Sequence, residues 1–82
     1  MNKEIFIEKK DNLVKVALKY LAKDNLSTQD RISLTKALEI LSEYSFENRL
    51  QKKGLLSHTI IDSLELDYSI GEKFIEFDNS IK

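Results

Sequence analysis

The sequence predicts an all-α fold, in which three to five helices form a compact antiparallel bundle within one domain over residues 1–82. The chain contains no proline and only two glycines, so almost nothing in it interrupts a helix. Its apolar residues recur three and four positions apart, as they do on one face of a helix. A chain of 82 residues is also too short for two independent cores.

The first helix is predicted from Lys3 to Lys23. Its apolar stripe has the spacing of a single helix face and consists of Leu13, Val16, Ala17, Tyr20 and Leu21. The three consecutive apolar residues 5–7 leave two alternatives at its start, a short strand or a helical turn. Lysines four positions apart form a basic ridge that we expect to face solvent, and this ridge consists of Lys15, Lys19 and Lys23.

The second helix is predicted to begin near Thr28. Ser27, followed three positions later by Asp30, resembles an N-cap with an acidic first turn. The apolar stripe of this helix consists of Leu34, Ala37, Leu38, Leu41 and Tyr44. Because only a short turn at residues 24–25 separates the two helices, we expect them to pair as a hairpin.

Two alternatives remain open at Ser45, which either caps a further short helix or lies within the second one. Lys52, Lys53 and Gly54 predict a helix end, because cations favour a helix C-terminus and glycine readily adopts the left-handed conformation that closes it. Ser57 is then predicted to cap a helix that carries Ile60, Ile61 and Leu64.

Ser69 and Glu72 have the spacing of a capping box. Either Ser69 opens a separate last helix, or it lies within one long helix. The apolar stripe that follows consists of Ile70, Phe74, Phe77 and Ile81. This stripe is either core or an interface that binds a partner. We expect core for Phe74 and keep both interpretations open for Phe77 and Ile81.

Composition excludes several chemistries. The absence of cysteine excludes disulfides and thiolate sites and is typical of a cytoplasmic protein. No targeting segment or membrane-spanning apolar run is recognisable, and no cofactor is expected. His58, Asp62 and Glu65 fit one helix face, but such spacings are common where 33% of residues are charged, so no metal site is predicted. Abundant Lys, Ile and Asn are typical of an AT-rich bacterial or phage source.

Charge is unevenly distributed along the chain. Residues 1–53 hold eleven Lys/Arg and eight Asp/Glu, whereas residues 54–82 hold two and six. Because so small a domain without disulfides is marginally stable, we expect either a homodimer or another protein that covers its remaining apolar surface. The candidate partner-binding residues are Phe74, Phe77 and Ile81 on the last stripe and Lys15, Lys19 and Lys23 on the basic ridge.

Residues 58–77 have the outline of a DNA-binding helix-turn-helix. The second of its helices, however, carries Glu72, Glu76 and Asp78 against a lone Lys73. Phosphate binding needs the opposite balance of charge, because lysine and arginine gain affinity by displacing counterions from nucleic acid. Nucleic-acid binding is therefore an alternative that the charges disfavour.

Residues 63–67 have the sequence Ser-Leu-Glu-Leu-Asp, nine positions after Gly54, and Ile70 follows three positions later. With this motif, the stretch of residues 54–74 resembles the small sporulation-regulating aspartyl-phosphate phosphatases, whose second helix carries Ser-Gln-Glu-Leu-Asp. Leu64 replaces the glutamine. The resemblance implies a two-helix hairpin that removes phosphate from a response regulator, with Ser63, Glu65 and Asp67 as candidate catalytic residues.

The preferred hypothesis is a small cytoplasmic regulator, inhibitor or adaptor that acts by protein–protein contact without chemistry of its own. It follows from the missing catalytic residue sets, the small size and the polarised charge. Response-regulator dephosphorylation is the enzymatic alternative, and helix-turn-helix DNA binding is the second alternative.

Far-UV circular dichroism of the purified chain should report well over half helix, because helix-breaking residues are nearly absent and the apolar spacing is helical. A spectrum dominated by strand would contradict the fold class and, with it, the functional hypothesis.

Overall fold

The computed structural model describes residues 1–62 and 66–82 and contains five helical segments, one of them a single turn. They are α1 (Lys3–Leu21), α2 (Thr28–Ser42), the turn α3 (Arg49–Lys52), α4 (Leu55–Asp62) and α5 (Tyr68–Asn79). No strand occurs in the described part of the chain, so the predicted all-α bundle is confirmed. None of the helices described is both long and apolar enough to cross a membrane.

The hairpin of α1 and α2 forms as predicted. Helix α1 includes residues 5–7, so the strand alternative is wrong there, and only Phe6 of the three is buried. The predicted end at Lys23 lies two residues beyond the observed one. Arg31 of α2 closes this end, because its guanidinium donates to the carbonyl oxygens of Leu21 at 3.1 Å and Lys23 at 3.0 Å. The Ser27 hydroxyl caps α2 as predicted.

Ser45 precedes a separate helical turn, which was one of the two alternatives for this residue. The Ser45 N–H donates to Asn48 Oδ1 at 2.7 Å, and the Asn48 N–H donates to Ser45 Oγ at 3.1 Å. This reciprocal pair leads into α3. The helix end predicted at Gly54 is confirmed, because Gly54 has φ of +96°, a backbone conformation that other residues rarely adopt.

Two predicted caps are wrong, the first by three positions and the second by two. Helix α4 begins at Leu55, not after Ser57, and the His58 N–H donates to the Gly54 carbonyl. Helix α5 begins at Tyr68 because Asp67 provides its cap: the Asp67 carboxylate accepts from the Ser69 N–H at 2.9 Å and the Ser69 hydroxyl at 2.7 Å. A separate last helix is thus the correct alternative at Ser69.

The core lies between four helices, with α1 beside α2 and α5, and α4 beside α2 and α5. Aromatic rings occupy its centre, where the Phe6 and Phe77 centroids are 5.8 Å apart and the Tyr44 and Phe77 centroids 6.0 Å apart. The whole last stripe is buried, namely Ile70, Phe74, Phe77 and Ile81. Core is therefore the correct interpretation of this stripe, and Phe74, Phe77 and Ile81 lie inside the chain instead of on its surface.

Replacing Phe74 by alanine should lower the free energy of unfolding by about 3 to 5 kcal/mol, because it leaves a cavity in the centre of a small core. Urea denaturation followed by circular dichroism measures the loss. The matched control is Leu50→Ala, where the side chain is 62% exposed, and it should change stability by less than about 0.5 kcal/mol. Equal midpoints for the two variants would contradict the placement of Phe74.

Candidate functional site

A buried carboxylate lies where α5 meets the start of α4. Asp78 is fully buried. Its carboxylate accepts the Gly54 N–H, 3.0 Å from each oxygen, and the Ser57 N–H at 2.9 Å. The first N–H groups of a helix have no partner within it, and Gly54 has no side chain to supply one. Asp78 of α5 therefore caps α4, and its negative charge is stabilised by the positive end of the α4 helix dipole.

The Tyr44 hydroxyl completes this polar cluster. It accepts the Leu56 N–H at 3.0 Å. It also lies 2.8 Å from both Asp78 Oδ1 and the Lys52 carbonyl oxygen, and it can donate its one proton to either of these two acceptors. The Tyr44 carbonyl in turn accepts from Lys10 Nζ at 2.6 Å. Tyr44 thus connects α1 and the end of α3 to the start of α4.

Protonation in this cluster follows from its hydrogen bonds. Burial raises the pKa of Asp78, but the N–H groups of Gly54 and Ser57 and the Tyr44 hydroxyl outweigh it, so the pKa lies below its ordinary value. Burial raises the pKa of Tyr44 well above its ordinary value. An ionised, fully hydrogen-bonded and buried carboxylate is not accessible to a substrate, so the cluster supports the fold and is not a catalytic centre.

Asp78 also corrects an interpretation of the sequence. It counts there among the acidic surface residues of a helix-turn-helix, whereas the structure buries it. A local signal for this exists, because Asp78 lies four positions after Phe74 and directly after Phe77, on the apolar side of α5. Tyr44 carries no such signal, because its hydroxyl partners are distant in sequence.

The candidate catalytic residues are only partly described. Asp67 is exposed at the start of α5, and its pKa is lowered by hydrogen bonds from the Ser69 hydroxyl and N–H, with a smaller contribution from the Tyr20 hydroxyl. Ser63 and Glu65 lie outside the described residues. Asp67 thus has a capping role in the structure, and its phosphatase role stays a prediction.

The other candidate groups are exposed. His58 Nε2 and Asp62 Oδ2 form a surface pair at 3.1 Å, while Glu65, the third member of that group, lies outside the described residues. Within the described ranges, no three metal-ligating side chains come together. The ridge lysines Lys15, Lys19 and Lys23 face solvent as predicted, and Lys23 Nζ lies 4.3 Å from the centre of the Tyr20 ring.

An open groove of about 360 Å³ lies between α4 and α5, and sequence reasoning did not predict it. We call it the α4–α5 groove; its lining residues are Ile60, Leu66, Tyr68, Gly71, Glu72, Ile75 and Glu76. Gly71 forms the floor, since a Cβ there would lie 3.6 Å from both Ile60 Cγ2 and Leu66 Cβ. The two helices therefore approach closely beneath the groove.

The α4–α5 groove has an apolar interior and an acidic rim. Glu72 and Glu76 are both exposed, four positions apart on α5. The rim also includes Tyr68, which is 79% exposed. A large side chain this exposed, beside an apolar groove, is typical of a binding surface. The chemistry of the groove suits an apolar ligand that carries positive charge at its edges.

Comparisons with protein families, with curated proteins and with solved structures found no match to this chain. The functional argument therefore depends on the geometry and charge of the chain itself.

Replacing Asp78 by asparagine should lower the free energy of unfolding by about 3 kcal/mol at pH 7, because hydrogen bonds to a buried charge are lost and N–H groups are left unpaired. A depressed native pKa stabilises the fold above the unfolded pKa of about 3.9, and that stabilisation is lost as pH falls through the native value. The difference between the two proteins should therefore shrink below about pH 4.

Urea denaturation between pH 2 and 8 measures this difference, with exposed Asp24→Asn as the matched control. A constant difference between wild type and Asp78→Asn across this range would contradict an ionised Asp78.

Proposed function

We propose that this chain is a small cytoplasmic regulator, an inhibitor or adaptor, that acts by protein–protein contact, and that the α4–α5 groove binds a basic amphipathic helix of its partner. The observation that carries the proposal is the apolar interior of the groove beneath the acidic rim of Glu72 and Glu76. A helix with an apolar stripe flanked by lysine or arginine complements both features, in the helix-in-groove mode of recognition.

The dimensions of the groove support a helical ligand. Its volume of about 360 Å³ has room for a few apolar side chains. Ile60, Gly71 and Ile75 offer these side chains an apolar surface, and the absence of a side chain at Gly71 deepens the floor. Apolar area that leaves water on binding contributes roughly 25 cal/mol per Å² before the costs of association.

The rim charges support a cationic partner. Like charges four positions apart on a helix destabilise it by about 0.2 to 0.5 kcal/mol, so Glu72 and Glu76 repel each other in the free protein. Lysine or arginine on a bound helix relieves that repulsion and adds attraction. The nearby Lys73 lies beside a second depression, which Glu76 also lines together with Lys9 and Phe77.

The same rim disfavours the DNA-binding alternative, because nucleic acid would place phosphates beside carboxylates. The phosphatase alternative gains no support from the described residues, where Asp67 is the cap of α5. Binding without chemistry is therefore the function that the geometry supports best.

Charge reversal of the rim should weaken the binding of basic helices. Synthetic amphipathic helices with one apolar stripe and lysine flanks should bind the wild-type chain, and the same helices with glutamate flanks should not. The double variant Glu72→Lys/Glu76→Lys should raise the Kd for the lysine-flanked helix at least about ten-fold in a fluorescence-anisotropy titration, because the attraction between rim and helix becomes repulsion.

The matched control is Glu39→Lys/Glu43→Lys, an exposed pair with the same spacing at the C-terminal end of α2, where Glu43 is the C-cap, and away from the groove. It should keep the wild-type affinity within about two-fold. Equal losses in both variants would indicate a non-specific charge effect and overturn the proposal, as would binding that is insensitive to either change.

A further inference from the structure

We propose that the partner helix of the α4–α5 groove is α1 of a second copy of this chain, so that the outer surface of α1 in each copy binds in the groove of the other. This inference rests on the proposed function, because it names the occupant of that site. The structure contains both halves of the contact, an acidic apolar groove on α4 and α5 and a basic apolar surface on α1.

The outer surface of α1 has the chemistry that the groove requires. Leu18 is 54% exposed, although it is a large apolar residue, and it lies in the last turn of α1. Lys15 and Lys19, three positions before it and one after it, are exposed beside it on the side of α1 away from the core. Leu18 therefore lies beside two cations on the outer surface of α1, as an apolar anchor with a basic edge.

The spacing of the charges matches between the two surfaces. Lys15 and Lys19 are four positions apart, as are Glu72 and Glu76. Four helical positions advance about 6 Å along the axis, so the lysine pair and the glutamate pair have the same reach. One alignment of α1 along α5 thus allows both lysines to face both glutamates while Leu18 enters the groove.

These four charges are free to act between copies. Among the ion pairs of the described residues, neither lysine contacts a carboxylate and neither glutamate contacts a cation. The third ridge lysine, Lys23, instead stacks on the Tyr20 ring, and we assign it no role in this contact. The uneven charge of the chain, basic up to residue 53 and acidic beyond it, favours the same contact between α1 of one copy and α5 of the other.

Because α1 of each copy binds in the groove of the other, the assembly is complete at two copies. Each copy provides one α1 surface and one groove, so a two-fold axis lets the same contact form twice and leaves no groove unfilled. Each contact removes Leu18 and the groove interior from water, which is the apolar surface that so small a domain leaves exposed.

The test is a charge swap followed by sedimentation equilibrium at about 100 μM chain, where contacts with micromolar Kd are populated. The wild-type chain should be a dimer. Both Lys15→Glu/Lys19→Glu and Glu72→Lys/Glu76→Lys should be monomers with unchanged circular dichroism, because each places like charges across both contacts. An equimolar mixture of these two variants should be a heterodimer, since every contact in it is again complementary.

Leu18→Ser should weaken the wild-type dimer at least about ten-fold without any change of charge. The control Glu39→Lys/Glu43→Lys should remain dimeric. A monomeric wild-type chain, a dimer that survives either charge reversal, or a mixture that stays monomeric would each overturn the proposal.

The titration with lysine-flanked helices separates this inference from the proposed function. A wild-type chain that binds those helices in its groove but is monomeric overturns only the inference that a second copy occupies the groove. A chain that neither binds them nor self-associates overturns both.

Discussion

The fold depends on one buried carboxylate. Helix α4 has eight residues, too few to be stable by itself, and the glycine before it cannot cap it. Asp78 supplies the missing acceptors from α5, and Tyr44 adds another from the turn after α2. Three separate segments thus meet at one polar point inside an apolar core. Because both oxygens of the carboxylate accept hydrogen bonds from N–H groups, burial of this charge is tolerated without a cation.

The same carboxylate determines where the groove lies. Gly71 and Asp78 are seven positions apart, two turns along one side of α5, and both are buried. At Asp78 the start of α4 is hydrogen-bonded to α5, and at Gly71 the later residue Ile60 packs closely against α5. Helix α4 is therefore fixed at two levels. The binding surface that we propose is a direct product of these two contacts.

The sequence predicts features whose causes are local and misses those whose causes are distant. The stripes of α1 and α2, the Ser27 cap and the helix end at Gly54 depend on neighbours within one or two turns. The start of α4 could not be predicted, because the acceptor for the Ser57 N–H lies 21 positions away. Asp67, by contrast, competes locally with Ser69 for the cap of α5, and the capping-box spacing of Ser69 and Glu72 does not show which of the two caps the helix.

The same distinction between local and distant causes applies to the candidate binding surfaces. The basic ridge was predictable, because four-residue spacing alone places Lys15 and Lys19 on one side of a helix. The groove was not, because it requires knowing that Gly71 faces α4. Capping across the fold also affects the order of folding. The Gly54 and Ser57 N–H groups at the start of α4 have no acceptor until Asp78 of α5 docks, so we expect α4 to become stable late in folding and its amide hydrogens to exchange with solvent when α5 detaches.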